Sequence, residues 1–320
     1  MKGVIAGKRD FDARSPGARD GMKQQRLLII GSRGFLGAHT VQAAEWSGAF
    51  EVIRGDRSNT GAVGSVEVDI TDASSVDRAF DRVRPDAVLL LAAMSDIDRC
   101  ESNPAQAFAA NARGVEYVAN ACARTNARLL FTSSAAVFDG KKHGYSEDDV
   151  VSPLSVYGET KAWAENVVKS LTPSAVVIRV ALVLGFAHRS GTNAMLDRLV
   201  TKWKAGEVVS FPQREERNPI DAASLAKIMV NMLASRDVSG IYHVGASDSL
   251  SRYELGRRLA MRAGFSTDLV QPQDTIIPGR ALRGEDHFLL TDKLRTLFNI
   301  ETQLSNQVIE RCFDDAAKGN

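Results

Sequence analysis

The chain has 320 residues, 44% hydrophobic and 25% charged, with a formal net charge of +1. That is an ordinary globular composition, without the basic excess of a general nucleic-acid or acidic-membrane binder. Cys100, Cys122 and Cys312 are widely spaced and odd in number, which reads as reduced thiols of a cytoplasmic protein rather than a disulfide framework; the longest apolar run, Ala87 to Met94, is too short to span a bilayer.

Residues 1–25 are rich in basic and small residues and lack periodicity, so a disordered N-terminal arm is expected there. Arg26–Ile30 is a continuous apolar run, the pattern of a strand buried on both faces. A helix is expected from Phe35 to about Ser47, then strands over Phe50–Ile53 and Ser65–Ile70 and a helix from Asp72 toward Arg84. Pro85–Ala93 reads as a fourth strand, Pro104–Thr125 as one long helix and Ala127–Ser134 as a fifth strand. A helix over Pro153 to about Ser170 and a sixth strand over Ala175–Leu182 complete the alternation. Strands separated by helices at this spacing predict an α/β fold, a Rossmann-like doubly wound parallel sheet covered on both faces.

After Leu184 the alternation loosens. Ser239–Gly245 reads as a strand, and Ser251 with Glu254 has capping-box spacing at the head of a helix. The expected division is a dinucleotide-binding domain over residues 26–184 and, mainly from 185–320, a smaller C-terminal substrate-binding lobe over the open edge of the sheet.

Gly31, Gly34 and Gly37 lie between the first strand and the first helix. The first permits a tight turn, the second a close approach of backbone to phosphate, and the third close packing of helix on strand. The helix N-terminus then offers free N–H groups to a pyrophosphate. Asp56, about 20 residues beyond the turn, can accept from a ribose 2′-OH, whereas Arg33, Arg54 and Arg57 are suited to a 2′-phosphate. NADH and NADPH therefore both stay open.

The spacing G-x-x-G-x-x-G resembles the extended branch of the short-chain dehydrogenases/reductases, and the likeness runs over about residues 26–316. "VDITD", "LLAAMSDIDRCESNPAQAFAANARG", "FTSSAAVF" and "SVYGETK" carry it, and within the branch the sequence is most similar to the dTDP-4-dehydrorhamnose reductases. The resemblance implies an NAD(P)H cofactor held by Gly31, Arg33, Gly34, Phe35, Leu36, Gly37, Asp56, Asp69, Ile70, Ala92 and Ala93, together with Tyr157 and Lys161. It implies that Ser134 hydrogen-bonds a substrate carbonyl, that Tyr157 gives that oxygen a proton, that Lys161 lowers the phenol's pKa, and that Asn111 supports a water-linked proton path behind Lys161. Ser133 is expected to be a backbone or cofactor neighbour. No residue is assigned to a metal.

"ERNPIDAASLA" and "RGED" resemble segments that grip a nucleotide-sugar diphosphate, which implies a clamp of Arg217 and Arg283, with Asn193 also against substrate. The implied partner is a nucleotide sugar, with no nucleic acid or membrane, and a homodimer is compatible. Ala135 and Ala136 stand where related dehydratases carry an acid–base pair, so elimination is disfavoured; reduction of a 4-ketosugar is expected, with NAD-dependent 4-epimerisation and a non-catalytic nucleotide-binding regulatory subunit as alternatives. Leu182 stands where related reductases often place a tryptophan, which leaves the sugar open.

Overall fold

The computed structural model describes residues 24–58, 61–188, 192, 194–273, 279–299 and 303–318. The expected arm therefore lies almost wholly outside the described residues, and so does Asn193.

In chain order the first half comprises β1 (Gln25–Ile30), α1 (Phe35–Ser47), β2 (Phe50–Asp56), β3 (Ser65–Glu67), α2 (Ala73–Val83), β4 (Ala87–Leu90), α3 (Ile97–Ser102), α4 (Pro104–Phe108), α5 (Gly114–Thr125), β5 (Arg128–Ser134), α6 (Val156–Leu171) and β6 (Val176–Val180). The second half comprises β7 (Leu182–Leu184), α7 (Met195–Lys204), β8 (Val209–Pro212), β9 (Glu216–Arg217), β10 (Pro219–Asp221), α8 (Ala222–Ala234), β11 (Gly240–Val244), β12 (Leu250–Ser251), α9 (Arg252–Arg262), β13 (Val270–Gln273), β14 (Asp286–His287), α10 (Asp292–Phe298) and α11 (Ser305–Lys318).

Seven parallel strands form the main sheet in the order β11-β6-β5-β4-β1-β2-β3. Strand residues alternate between its faces. Leu28, Ile30, Val88, Leu90, Leu129 and Phe131 enter one core with α2, α5 and α6. Leu27, Ile29, Leu89, Leu130, Val176 and Ile178 enter the other with α1 and α8. Each such side chain, removed fully from water, is worth roughly 1.5–3 kcal/mol, which explains why the apolar runs are continuous rather than alternating. The strand order reverses between β1 and β4, so a crevice opens at their carboxyl ends.

The structure changes several expected elements. Gln25 already belongs to β1. The helix expected over Pro104–Thr125 is interrupted by a π-helical turn at Ala109–Arg113. The expected sixth strand breaks at Ala181: β6 stays in the main sheet, while β7 leaves it to pair with β10. The strand around Ser239–Gly245, expected in the smaller lobe, is instead the outer strand of the main sheet, paired with β6. The chain after residue 184 is thus shared. β11, α8 and α10 complete the main sheet and its flanking layer, whereas Leu196, Trp203, Phe211, Leu255, Leu259 and Ile309 build the core of the smaller lobe. Ser251 caps α9 by accepting from the Glu254 N–H at 3.1 Å, but the Glu254 carboxylate turns to Arg258 at 2.7 Å instead of closing the capping box.

The glycine turn depends on contacts that leave no room for a side chain. Gly31 has φ +91°, and a Cβ there would come within 2.7 Å of the Ala92 nitrogen. A Cβ at Gly37 would come within 2.1 Å of the Gly31 carbonyl oxygen and 2.8 Å of the Ser32 backbone. Both obstacles are backbone and cannot rotate aside. Gly37→Ala is expected to destabilise the protein by about 1–3 kcal/mol, read as a lower denaturant midpoint at unchanged slope.

Candidate active site

α1 starts at Phe35 with Gly34 as its N-cap, and no side chain caps its N-terminus. The N–H groups of its first turn therefore face the crevice without a side-chain acceptor, and a Cβ at Gly34 would meet only the Gly31 oxygen, at 3.2 Å. That uncapped, open-sided turn fits the pyrophosphate of a dinucleotide. Asp56, at the end of β2, ties the turn down: it accepts from the Ser32 hydroxyl and from the Arg33 N–H at 3.0 Å. Ser32 was not singled out in the sequence, although its place beside the first glycine of "GSRG" marks it. The Arg33 guanidinium donates to Ser58 at 3.3 Å, and Arg54 pairs with Glu45.

Asp69 accepts from the Thr71 N–H and hydroxyl at 2.9 and 2.7 Å, bonds that hold its carboxyl below the usual carboxylate range. Ile70 is buried in the first core, and Leu36 packs against the second. A Cβ at Gly185, in the loop after β7, would come within 3.2 Å of the Phe35 ring. The Ala92 N–H donates back to Ile30 beside the glycine turn, and Ala93 is exposed just beyond. The residues expected to line the cofactor thus divide into backbone positions around the turn and side chains already engaged by the protein.

Across the crevice, Ser134 ends β5 and Tyr157 lies in the first turn of α6. Gly158 lets the two approach. A Cβ on it would lie 2.2 Å from the Ala136 carbonyl oxygen, so only glycine allows α6 to rest on the segment after β5. Sequence reading passed over this glycine, though "VYGETK" contains it. The Ser134 hydroxyl hydrogen-bonds Tyr157, and it also accepts from the Ala136 N–H at 3.2 Å. Lys161 is buried, with its ammonium donating to the Thr132 carbonyl at 3.0 Å and sitting 4.7 Å from the Phe131 ring centre and 5.8 Å from that of Tyr157.

The net shift of the phenol's pKa is upward, opposite to the lowering expected of Lys161. Burial dominates and pushes Tyr157 up to about 12, with the Ser134 hydrogen bond working against it. Burial brings Lys161 down to about 8, opposed by the negative charge of Glu165. The phenol carries its proton at neutral pH, as an ordinary tyrosine does, and burial extends that range upward.

Asn111 is fully buried in the π-helical turn, a distortion often found at functional sites. Its Oδ1 accepts from the Met94 N–H at 2.8 Å, and its Nδ2 donates to the Met94 carbonyl at 2.9 Å and to Thr160 at 3.4 Å. The amide thus pins the loop after β4 to α6. Ser133, expected beside backbone or cofactor, points the other way and donates to Glu165.

At the substrate end, Ser134, Ala136, Leu154, Arg217, Arg283 and His287 surround a recess of about 50 Å³. Arg217 is buried, and burial lowers its pKa to about 10; it donates to the carbonyls of Glu216 at 2.7 Å and Gly284 at 3.1 Å. Arg283 makes a two-pronged pair with Asp98, at 3.0 and 2.9 Å, and Arg280 pairs with Glu215 at 2.6 Å. The two arginines do converge on the recess that holds Ser134, but each is engaged by the protein itself. Leu182 packs against the core of the smaller lobe. A larger cleft of about 680 Å³ lies between α1, α8 and α11, lined by His39, Lys227 and Cys312 among others, and shares no residue with the group around Tyr157.

Comparison with known proteins places these features in one class. The chain is an oxidoreductase of the extended short-chain dehydrogenase/reductase type. Within that class it belongs to the RmlD substrate binding domain family, whose profile matches residues 25–318. It is 32% identical over 258 residues to a dTDP-4-dehydrorhamnose reductase of Mycobacterium tuberculosis, covering 78% of this chain and 79% of the relative. It is 30% identical over 235 residues to the dTDP-4-dehydrorhamnose reductase of Aggregatibacter actinomycetemcomitans, covering 72% and 76%. The crystal structure of dTDP-4-dehydrorhamnose reductase from Bacillus anthracis in complex with NADP shares the fold, with TM-score 0.82 and 24% identity over 92% of this chain and 100% of that one.

Asn111→Ala would strip the part-buried Met94 N–H of its acceptor. The expected loss is about 1–3 kcal/mol of stability, measured by urea unfolding, with raised amide exchange confined to the loop after β4.

Proposed function

We propose that this protein reduces the 4-keto group of a nucleotide-linked sugar with NADH or NADPH, the dTDP-linked substrate being favoured by the relatives' names. One observation carries the reading. A phenol hydrogen-bonded by Ser134 stands at the carboxyl end of the sheet across the crevice from the uncapped α1 N-terminus. Gly31, Gly34 and the first turn of α1 would hold the pyrophosphate, and Lys161 would hold the nicotinamide ribose. The bound nicotinamide supplies hydride. Ser134 orients the ketone oxygen by hydrogen bonding, and Tyr157 transfers its proton to that oxygen. Lys161, as an ammonium, offsets the negative charge left on the phenolate. Ala135 and Ala136 offer no acid or base for elimination. The three cysteines are free and buried, which supports a cytosolic setting.

Substrate entry is expected to draw the segment around Arg283 outward, since the recess beside Ser134 is about 50 Å³. A diphosphate then takes the place of Asp98 and Glu215 on the guanidinium groups. Substrate thereby exchanges one set of anions for another, and the arginines are never left without a counter-charge.

Cofactor oxidation across a panel of nucleotide sugars tests the reading. Tyr157→Phe is expected to lower turnover by at least 10² with nicotinamide binding unchanged; equal turnover in that variant refutes the assignment. Asp98→Asn releases Arg283 and is expected to tighten nucleoside diphosphate binding several-fold by calorimetry. Because Asp98 is about half exposed, the same change costs only about 0–1 kcal/mol of stability.

A further inference from the structure

Tyr157, Lys161 and Glu165 follow one another at four-residue intervals along a single face of α6. Only the first two belong to the proton transfer described above. The third is 6% exposed, and three donors fix it. Ser133 donates to its Oε1, and Arg179 donates to both oxygens, from Nε at 2.9 Å and from a terminal nitrogen at 2.6 Å. Arg179, on β6, is itself 2% exposed and lies 5.0 Å from the ring centre of Phe138. A buried carboxylate is costly unless paired, and here the pairing orients it from two strands at once.

The remaining groups around Lys161 leave Glu165 as the anion that acts on it. On α3, Cys100 lies near Asp96 and Glu101, and burial first of all pushes its thiol up to about 11, so it is neutral at physiological pH. On β5, Thr132, Ser133 and Ser134 carry no charge, and on α6 the Tyr157 phenol is held up at about 12. Behind Arg179 sits His243, fully buried on β11. Its Nδ1 faces the Tyr145 carbonyl at 3.1 Å and so carries the hydrogen, leaving Nε2 as an acceptor toward Arg179 at 3.3 Å. Burial, then Arg179, lowers His243 to about 3, so it adds no charge. Glu147 meets the far side of this group, accepting from the His243 N–H at 2.9 Å.

We propose that Glu165 is a positioning residue of the site: held by Ser133 and Arg179, its carboxylate keeps Lys161 an ammonium against the Thr132 carbonyl and so sets the upper pH limit of reduction. Without that carboxylate, Arg179 loses its buried partner and Lys161 loses the anion one helical turn away, and Lys161 is the one able to shed a proton. A neutral amine cannot offset the charge left on Tyr157. The inference rests on the reduction reading for its effect on turnover, but the state of Lys161 is measurable without substrate.

The test has two readouts. Lysine side-chain NMR titration of the substrate-free protein, with Lys161 assigned through Lys161→Met, gives its midpoint directly. The pH profile of kcat gives the descending alkaline limb. Glu165→Gln is expected to lower both by about one pH unit or more, with turnover partly recovered at lower pH. Glu165→Asp, which keeps the charge, is expected to leave the midpoint near that of the unaltered protein even if kcat falls. A purely structural role predicts a loss of turnover that is even across pH, with an unmoved Lys161 midpoint. The Glu165→Gln/Arg179→Gln variant leaves neither charge unpaired and serves if the single change prevents folding; it is expected to move the midpoint the same way, by less. An unchanged midpoint in these charge-removing variants overturns the inference whatever their turnover. A lowered midpoint in a protein that turns over no nucleotide sugar counts against the reduction reading and leaves the role of Glu165 standing.

Discussion

Everything at this site depends on how α6 is seated on the sheet. Gly158 brings the helix backbone against Ala136 at a separation no side chain would permit. Seven residues further along, Glu165 anchors the same helix to β5 through Ser133 and to β6 through Arg179. Between these two fixings lies Lys161, with its charge directed at a backbone carbonyl of β5. A helix held at two points on one face cannot slide or roll without breaking a buried ion pair or a close backbone contact. The hydroxyls of Ser134 and Tyr157, drawn from separate elements, therefore meet reproducibly.

The charges are arranged around that seating with little surplus. Burial acts in opposite directions on the phenol and the ammonium, since it disfavours whichever form is charged. The phenol keeps its proton, and the ammonium is brought close to losing its own. At the substrate end the same economy holds. Arg217 leans on carbonyl oxygens, Arg280 on Glu215 and Arg283 on Asp98. Guanidinium groups kept paired in this way are fixed in orientation, with Arg217 and Arg283 against the recess.

Much of the sheet was readable because a strand buried on both faces has to be apolar at every position, as Arg26–Ile30 nearly is and Ala87–Leu90 is throughout. The glycine turn was readable for the complementary reason, that a missing Cβ is visible in a sequence. Other features were not. The π-helical turn around Asn111 leaves no mark in apolar spacing, since Ala109–Arg113 carries no large apolar side chain to show a period. The break at Ala181 was hidden because both halves of that apolar run are buried, one against the main sheet and one against the smaller lobe. The strand at Gly240–Val244 looked like lobe material by its place in the chain; its partner, β6, lies more than 60 residues earlier.

The sequence by itself determined the alternation of strands and helices, the glycine turn and the four-residue spacing of Tyr157, Lys161 and Glu165, because these follow from local geometry and from which residues tolerate burial. Only the tertiary structure decided the acidity of the phenol, the pairing of Arg283 with Asp98, the role of Ser133 as a tie to Glu165 and the seating that Gly158 permits. Each of those is an interaction between groups distant in the chain whose strength depends on exclusion of water, and how much water is excluded at a point is a property of the packed molecule.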